Sequence, residues 1–545
     1  MSGRTVITDR FGQPMRSASN VTRATSRYLR DSRSGVIAAR PTSLRDSRDD
    51  IRQSWGRAAG LAIDVVQNSG RLKGAVDQVL ADTVGVELQL SPQPNLIGLG
   101  YNDRERSEMI RVIMARWKLF AWDPSECDFR GKFTLPQQID IGLRWDMVYG
   151  EITGLLDYMS SATRSRYGIT TGTKLCLTPP TRLVQDTSSI EDLFQGVYHD
   201  ENGRPDRYLF EERVGGIIRK VQYPARDASG RPVVLHIFDP QDATDVRGIS
   251  KLTSAFKKHL QHEMLDDATL QTAILQTVFA AVITSEQPEA DAFEALEAIK
   301  DQKFGKDDDQ VDGNEYAADM IAFLQSNLDR LHDNAINFSA DPQISHLGPG
   351  EKFDIKTAGT PGGQYLPFAA ALSRDMARAI GISYGGLTMD HSNATYSSVR
   401  METSSIWPVV MRRRERIAAP LCQAVYENWL DEEIGEGRIP FKGGYRAYLA
   451  NRARVNWAQW QGPAKPTADD NKSAKAASER IDNGTSSVEI EAADIGLDPD
   501  ELFDQRLATH RRYIDAGMRS PYERNARPST GDIEDEEPAT KVDVK

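Results

Sequence analysis

Gly381-Ile-Ser383-Tyr-Gly385 matches, letter for letter, the G-x-S-x-G turn that presents a nucleophilic serine in α/β-hydrolases. That chemistry needs a strand before the serine and a helix after it, so that a strained turn exposes the hydroxyl. It also needs a histidine on a separate arm. Here residues 368–380 read as a helix and residues 386–393 as a loop. The next histidine, His391, stands beside Asp390 only eight residues on. The competing reading is a glycine that ends a helix. A serine hydrolase built on Ser383 is therefore kept only as an alternative; the chain is read as a non-enzyme with no catalytic residue.

Other residue types could hold metals or anions. His259 and His262-Glu263 share a helical face at i, i+3, but the H-E-x-x-H spacing is missing and no further His or Cys cluster would complete a shell. The expectation is a solvated helix face. The stretch Asp308-Asp-Gln-Val-Asp312-Gly313 resembles the opening of an EF-hand loop. Gln310 stands at its third position, Glu315 where a hydrophobe belongs, and Asp319 where a bidentate Glu should close it, so it reads as an acidic surface loop. Gly98-x-Gly100 lacks a third glycine and a following helix, and no phosphate-binding G-x-x-x-x-G-K-[ST] exists. No cofactor and no metal are expected. Arg412-Arg413-Arg414 and Arg416 lie in a helix where successive side chains point apart. They suit either acidic partners or DNA, or a solvated surface.

The chain that must position these residues has 545 of them, which suggests three or four structural units. Hydrophobic residues make up 39% and charged residues 27%, the mean hydropathy is -0.50, and the eight Trp argue against general disorder. No apolar run reaches 18 residues, so no membrane span is expected, and the first residues lack the apolar core of a secretory signal. Cys127, Cys176 and Cys422 lie far apart, which excludes a disulfide scaffold and a zinc finger and fits a reducing cytosol. The net charge of -12 is uneven. Residues 1–60 carry twelve Arg and five Asp, a net of +7, and the remainder carries -19. A basic arm on an acidic body meets an anionic partner or the body itself, unless it is a solvated, disordered terminus.

Along the chain, residues 1–50 read as that arm, and 49–84 as helical. Residues 95–101 read as a glycine-punctuated strand or turn, and 107–120 as an amphipathic helix. Residues 135–159 are helix-rich with an interruption at Tyr149-Gly150-Glu151. A β-rich block covers 170–240, with a hairpin at Asn202-Gly203 and a strand over 233–238. From Ile249 the period changes: Leu252, Phe256, Leu260 and Met264 fall at i+4 steps, and the spacing predicts a strut of some 35 residues to about Ile283, with Leu260 and Ile274 on its buried stripe. A polar, glycine-rich stretch spans 286–363. A second helix covers 365–380 and a third 398–430, kinked by Pro408. Short helices at about 468–482, 487–495 and 498–517 precede an acidic tail.

Several segments resemble the portal, or head–tail connector, proteins of tailed bacteriophages in the lambda-like branch. They are 95–100, 145–151 (WDMVYGE), 196–208 (GVYHDENGRPDRY), 234–238, Arg247-Gly-Ile-Ser250 and Leu347-Gly-Pro-Gly-Glu351. The most specific is 384–400, in which Tyr-Ser-Ser-x-Arg opens the next helix. Asp245-Val-Arg-Gly, in place of a Gly-Gln before the Arg-Gly, and Gly385-Gly386, in place of an acidic residue, depart from the usual pattern. The resemblance implies an α+β portal fold: a basic arm (1–50), an α+β wing (51–248), a stem helix (249–285) and a small α/β clip (286–363). A second stem helix (364–381), a tunnel loop (382–397), a kinked helix with the wing's return (398–463) and a helical C-terminal crown with an acidic tail (464–545) would come after these. It implies a ring oligomer, usually of about twelve copies, at one capsid vertex of the virion, assembled in the host bacterial cytoplasm. Double-stranded DNA would be packaged and ejected through it. The implied partners are the chain itself, the terminase large subunit, the major capsid and scaffolding proteins, a head–tail adaptor and the DNA, with no membrane. The implied DNA-facing residues are Ser383, Gly385, Gly386, Thr388, Asp390, His391, Ser392, Asn393, Thr395, Tyr396, Ser397 and Arg400, with the two glycines supplying freedom to follow a moving duplex.

Overall fold

The computed structural model describes residues 45–278, 282–285, 303–304, 311–312, 322, 351–354, 363–392, 394–467 and 469–523. Helices α1 (Ser47–Asn68) and α2 (Gly70–Thr83) meet at Ser69, whose side chain caps α2. Strand β1 (Gln89–Pro92) leads to α3 (Asp103–Trp122), opened by a capping box between Asn102 and Glu105, and then to the single turn α4 (Pro124–Cys127). Helix α5 (Leu135–Tyr149) is closed by Gly150 at φ 88°. Beyond Gly150 the chain runs as strand β2 (Glu151–Tyr158), where the sequence pattern predicts more helix.

After α6 (Ser161–Tyr167) come β3 (Thr173–Leu177), β4 (Leu193–Phe194), β5 (Val197–His199), β6 (Pro205–Val214), β7 (Ile217–Pro224) and β8 (Val234–Phe238). They form two antiparallel sheets, β3-β2-β8 and β4-β5-β6-β7. The expected Asn202-Gly203 turn joins β5 to β6, with Gly203 at φ 77°. The larger sheet has its own small cluster around Leu183, Val197, Tyr208 and Phe210, whereas the main core runs from α2 through α5 to residues within 417–460.

Helix α7 (Thr253–Val278) and α8 (Tyr365–Ile380) pack as a hairpin, and between them β9 (Val282–Ser285) pairs with β12 (Glu351–Asp354) while β10 (Lys303–Phe304) pairs with β11 (Val311–Asp312). The EF-like positions 308–310 and 313–319, the arm up to residue 44 and the acidic tail from 524 lie outside the described residues. At 26 residues α7 is about 39 Å long, shorter than the expected strut. Its stripe also differs. Leu252 and Phe256 are buried, but Leu260 is 41% and Met264 71% exposed. Each i+4 step overshoots a turn by about 40°, so three steps carry Met264 well off the face that Leu252 starts. The residues that stay on it are Ala255, His259 and His262, all buried. The two histidines are therefore core groups and not a solvated face. The side chain of Ile274 lies outside the described residues.

After the short α9 (Tyr384–Thr388), helix α10 (Tyr396–Arg413) runs into a π-helical turn (Arg414–Ala418) and on into α11 (Ala419–Gly435). The continuous helix expected over 398–430 thus changes its hydrogen-bond register six residues after Pro408. Pro420 supplies the reason: it has no N–H for the Arg416 carbonyl, and the wider turn just before it accommodates the loss. Helix α12 (Gly444–Val455), strand β13 (Ala458–Gln461) on β1, and helices α13 (Asp470–Asp482), α14 (Val488–Asp494) and α15 (Pro499–Asp515) complete the chain. Trp117 of α3 sits at the centre of an aromatic cluster, 5.2 Å from Trp429, 5.5 Å from Tyr426 and 5.7 Å from Trp460.

Candidate functional site

The segment 382–397 joins the end of α8 to the start of α10, and both ends are set by local chemistry. Gly381 ends α8 at φ 82°, in the left-handed conformation that only glycine adopts freely. Thr395 caps α10 in a capping box with Ser398, whose amide lies 3.2 Å from Thr395 Oγ1. Between them the segment has two halves. In the first, Ile382 and Leu387 are buried in the main core, and Gly385 and Gly386 sit in α9, which packs on α2. A Cβ on Gly385 would meet the His391 ring, and one on Gly386 would meet Ser383 Oγ at 2.9 Å. The glycines therefore permit close packing; they do not supply the loop freedom expected of them. In the second half Met389, Asp390, His391, Ser392, Ala394, Thr395 and Ser397 are exposed, and Asn393 lies outside the described residues.

Ser383 is the N-cap of α9: its Oγ accepts from the Gly386 amide at 2.9 Å. The element before it is α8, a helix and not a strand, so the nucleophile-elbow geometry is absent and the hydrolase alternative has no support. Ser383→Ala is expected to cost roughly 1 kcal/mol through the lost cap and to change no hydrolytic rate. Thermal melting and an ester-substrate assay on both proteins check this. Thr388 Oγ1 donates to the Tyr384 carbonyl at 3.0 Å, and Asp390 accepts from the Ser392 amide at 3.0 Å and its hydroxyl at 2.6 Å. Those bonds hold the Asp390 carboxyl below the usual carboxylate range, so it is charged at neutral pH. Tyr396 opens α10, and Arg400 is exposed one turn later. The exposed half thus offers hydroxyls and one anion, with no Lys or Arg between Ser383 and Val399. Such a surface can hydrogen-bond a polyanion without holding it.

The segment is tied down by Glu402 and Arg374, which the sequence did not single out, and by Arg413 of the arginine run. The Glu402 carboxylate of α10 accepts from the Tyr384 amide, Arg374 of α8 stacks 5.0 Å over the Tyr384 ring, and Arg413 donates to the Ile380 carbonyl at 3.0 Å. The arginine run is structural in part. Arg412 and Arg416 both reach Asp239, at 2.7 and 3.4 Å. Arg414 is buried and donates to the carbonyls of Thr83 (2.9 Å), Asp82 (3.3 Å) and Pro463 (3.0 Å). Arg413 and Arg414 thus clamp the π-turn to α2 and α8, whereas Arg412 and Arg416, 54% and 59% exposed, remain on the solvated surface beside Asp239.

Two buried polar centres hold this frame. Glu151 and Arg247, both 0% exposed, are bonded through Arg247 Nε (2.9 and 2.8 Å to the two carboxylate oxygens) and Nη2. His236 Nε2 lies 3.0 Å from the same carboxylate. Burial works to raise the Glu151 pKa, but Arg247 and His236 hold it down to about 2. A Cβ on Gly150 would fall on the Ile249 backbone and one on Gly248 on the Gly150 carbonyl, so the WDMVYGE and RGIS segments meet backbone to backbone. The second centre joins α2, α7 and α8. His262 lies 3.1 Å from Asp266 and 3.3 Å from Ser373 Oγ, and Asp266 accepts from Tyr365 OH at 2.6 Å and Arg71 at 3.3 Å.

His259 lies beside it, and its pKa is held below the usual imidazole value, chiefly by burial; Glu263 opposes the shift and Arg71 and His262 add to it. The unfolded chain takes up this proton near pH 6.5 while the folded chain resists it. Stability from His259 is therefore complete above about pH 6.5 and is lost as the pH falls below it. Urea unfolding at pH 8 and pH 5.5 should show a smaller acid loss in His259→Gln than in the parent; equal losses would rule out this residue as the source.

The family model described as "Phage portal protein, lambda family" matches residues 34–414. The portal protein of Escherichia phage N15 is 26% identical over 477 residues, and portal protein B of Escherichia phage lambda is 25% identical over 476; each alignment covers 86% of both chains. Among solved structures, a chain from the neck of an empty GTA particle is 14% identical, with 80% of this chain and 94% of that chain covered at a TM-score of 0.40. An HK97-family phage portal protein from Corynebacterium diphtheriae is 13% identical, covering 67% and 87%, at a TM-score of 0.26.

Proposed function

Because the chain belongs to the lambda family of phage portal proteins and has their structural role, we propose that about twelve copies form a ring at one capsid vertex and that double-stranded DNA passes through its channel in packaging and ejection. The observation that carries this reading is the family match from 34 to 414, which runs through the α7–α8 hairpin and segment 382–397 without a break. The hairpin supports it. Met264 and Leu270 of α7 and Leu366 and Phe368 of α8 are more than half exposed in a single chain, apolar area that a neighbouring copy would cover.

In this reading the exposed half of 382–397 lines the channel. Asp390, Ser392, Asn393, Thr395 and Ser397 would meet the duplex, whereas Ser383, Gly385, Gly386 and Thr388 would hold the inner half in place. Twelve chains at -12 give a strongly acidic ring, and the loop has no cation to neutralise phosphate, so DNA would slide and not bind. The terminase motor, the head–tail adaptor and the capsid and scaffolding proteins are the partners such a ring requires, and the virion is its place. Negative-stain imaging of the purified chain tests the assembly: rings with a central hole support it, and monomers at micromolar concentration overturn it.

A further inference from the structure

The β6–β7 hairpin is an unusual feature of the described surface. Its strands pair from Arg207↔Pro224 to Val214↔Ile217, and β7 forms the open edge of its sheet, with most of its residues exposed. At its tip, after Gly215-Gly216, Ile217 and Ile218 are 59% and 54% exposed. Arg213 and Arg219 flank them, exposed and without an ion pair among the described residues. The tip is thus an apolar knob flanked by two exposed cations, Arg213 opposite Ile218 and Arg219 opposite Glu212. Isolated surface isoleucines need no explanation, but a projecting pair between exposed arginines is suited to a wall with the opposite pattern.

Such a wall exists. A cleft of about 1050 Å³ opens beside the C-terminal end of α3. Leu119 and Trp122, 74% and 42% exposed, supply its apolar lining. Glu87, Asp123 and Glu126 stand around it; among the described residues none of the three forms an ion pair, and Lys118 is the one cation there without a partner. The cleft is lined by no residue of the hairpin. The two lie off opposite edges of the sheet β3-β2-β8: α4, at the cleft, packs on β3, where Asp128 bridges Leu175, while the hairpin is tied to β8 through the Val233 amide on the Ala225 carbonyl.

We propose that the hairpin tip of one chain docks into the α3 cleft of a second copy of this chain, placing Ile217 and Ile218 against Leu119 and Trp122, and Arg213 and Arg219 toward Glu87 and Asp123. Knob and hole on opposite flanks of one molecule make a head-to-tail contact, which propagates around an axis and closes when the rotation divides a full turn. The contact therefore rests on the ring reading and deepens it by naming the surfaces that join neighbours in the wing.

The test uses the full chain. In a chain whose partly buried Cys176 is replaced by Ser, oxidised Ile218→Cys/Leu119→Cys is expected to give a ladder of disulfide-linked multimers on non-reducing gels, absent from either single variant; Cys127 and Cys422 are buried and do not compete. Arg213→Glu/Arg219→Glu should lower the assembled fraction at least about tenfold, since like charges would then face each other, and Glu87→Arg/Asp123→Arg in the same chain should restore it. Parent rings that form while the double-cysteine variant gives no ladder and the charge reversal changes nothing would overturn this contact and leave the ring intact. Parent chains that stay monomeric would overturn the ring itself and the contact with it.

Discussion

Arg247→Met is expected to destabilise the folded chain by about 3–5 kcal/mol, because it removes one half of a fully buried ion pair and strands the other. The Glu151 carboxylate has no exposed surface, and Arg247 is its principal counter-charge. The guanidinium also serves the carbonyls of Pro180 (3.2 Å) and Gln195 (3.2 Å), and it lies 4.9 Å from the Trp55 ring. Methionine fills much of the volume but satisfies none of those acceptors. The double variant Arg247→Met/Glu151→Leu should cost less than Arg247→Met alone, since no unpaired charge remains; His236 and the Gly248 amide still lose their acceptor. Urea unfolding followed by tryptophan fluorescence measures both, and a single-variant loss below about 1 kcal/mol would contradict the account.

The pH response separates this from a simple packing defect. In the parent, the folded-state pKa of Glu151 lies near 2, below that of the unfolded chain, so its contribution is present above about pH 4.3 and is lost as the pH falls toward 2. Without Arg247 burial dominates and raises the same pKa. The sign then inverts: the deficit of Arg247→Met relative to the parent should be largest at neutral pH and shrink toward pH 4.

The legibility of the sequence divides by range. Features set within one turn were readable. The caps Asp469, Ser487 and Asp498 open the three C-terminal helices close to where the pattern placed them, and Gly381 and Thr395 bound the segment 382–397. Strand β2 was not readable, because its first four residues are all buried and an alternating pattern never forms. The fates of the charged side chains were also invisible. Arg414 finds its acceptors at Thr83 and Pro463, and His262 finds Ser373 on another helix, so nothing local distinguishes either from a solvated residue. Segment 382–397 was recognisable by its letters, yet its inner half is fixed by α2 and Glu402, contacts that only the fold creates.

That division decides how the channel reading must be tested. Thr395 is unsuitable for substitution because it caps α10, and Ser383 to Leu387 carry packing; Ala394 and Ser397 are exposed, and among the described residues the only side-chain tie of either to the cap is a long one, 3.4 Å between Ser397 Oγ and Thr395 Oγ1. Ala394→Arg/Ser397→Arg should therefore fold and assemble like the parent, with thermal stability changed by no more than about 0.5 kcal/mol, as is usual for surface sites. DNA packaging should nevertheless stall. Each arginine that reaches a phosphate releases close to one counterion, and log K falls with log salt by about 0.9 per contact, so two contacts per chain repeated around a ring become a brake that is strongest in dilute salt. Multiple weak contacts held on one ring act together through effective concentration, and a sliding duplex cannot leave them all at once. Ala394→Gln/Ser397→Gln adds comparable bulk without charge and should package nearly as the parent does, which separates a phosphate grip from a narrowed channel. Packaged DNA length, measured from low to high salt, gives the answer. A length that matches the parent at every salt concentration would mean that this segment does not face DNA; equal stalling by the glutamine variant would mean that size, and not charge, is what the channel resists.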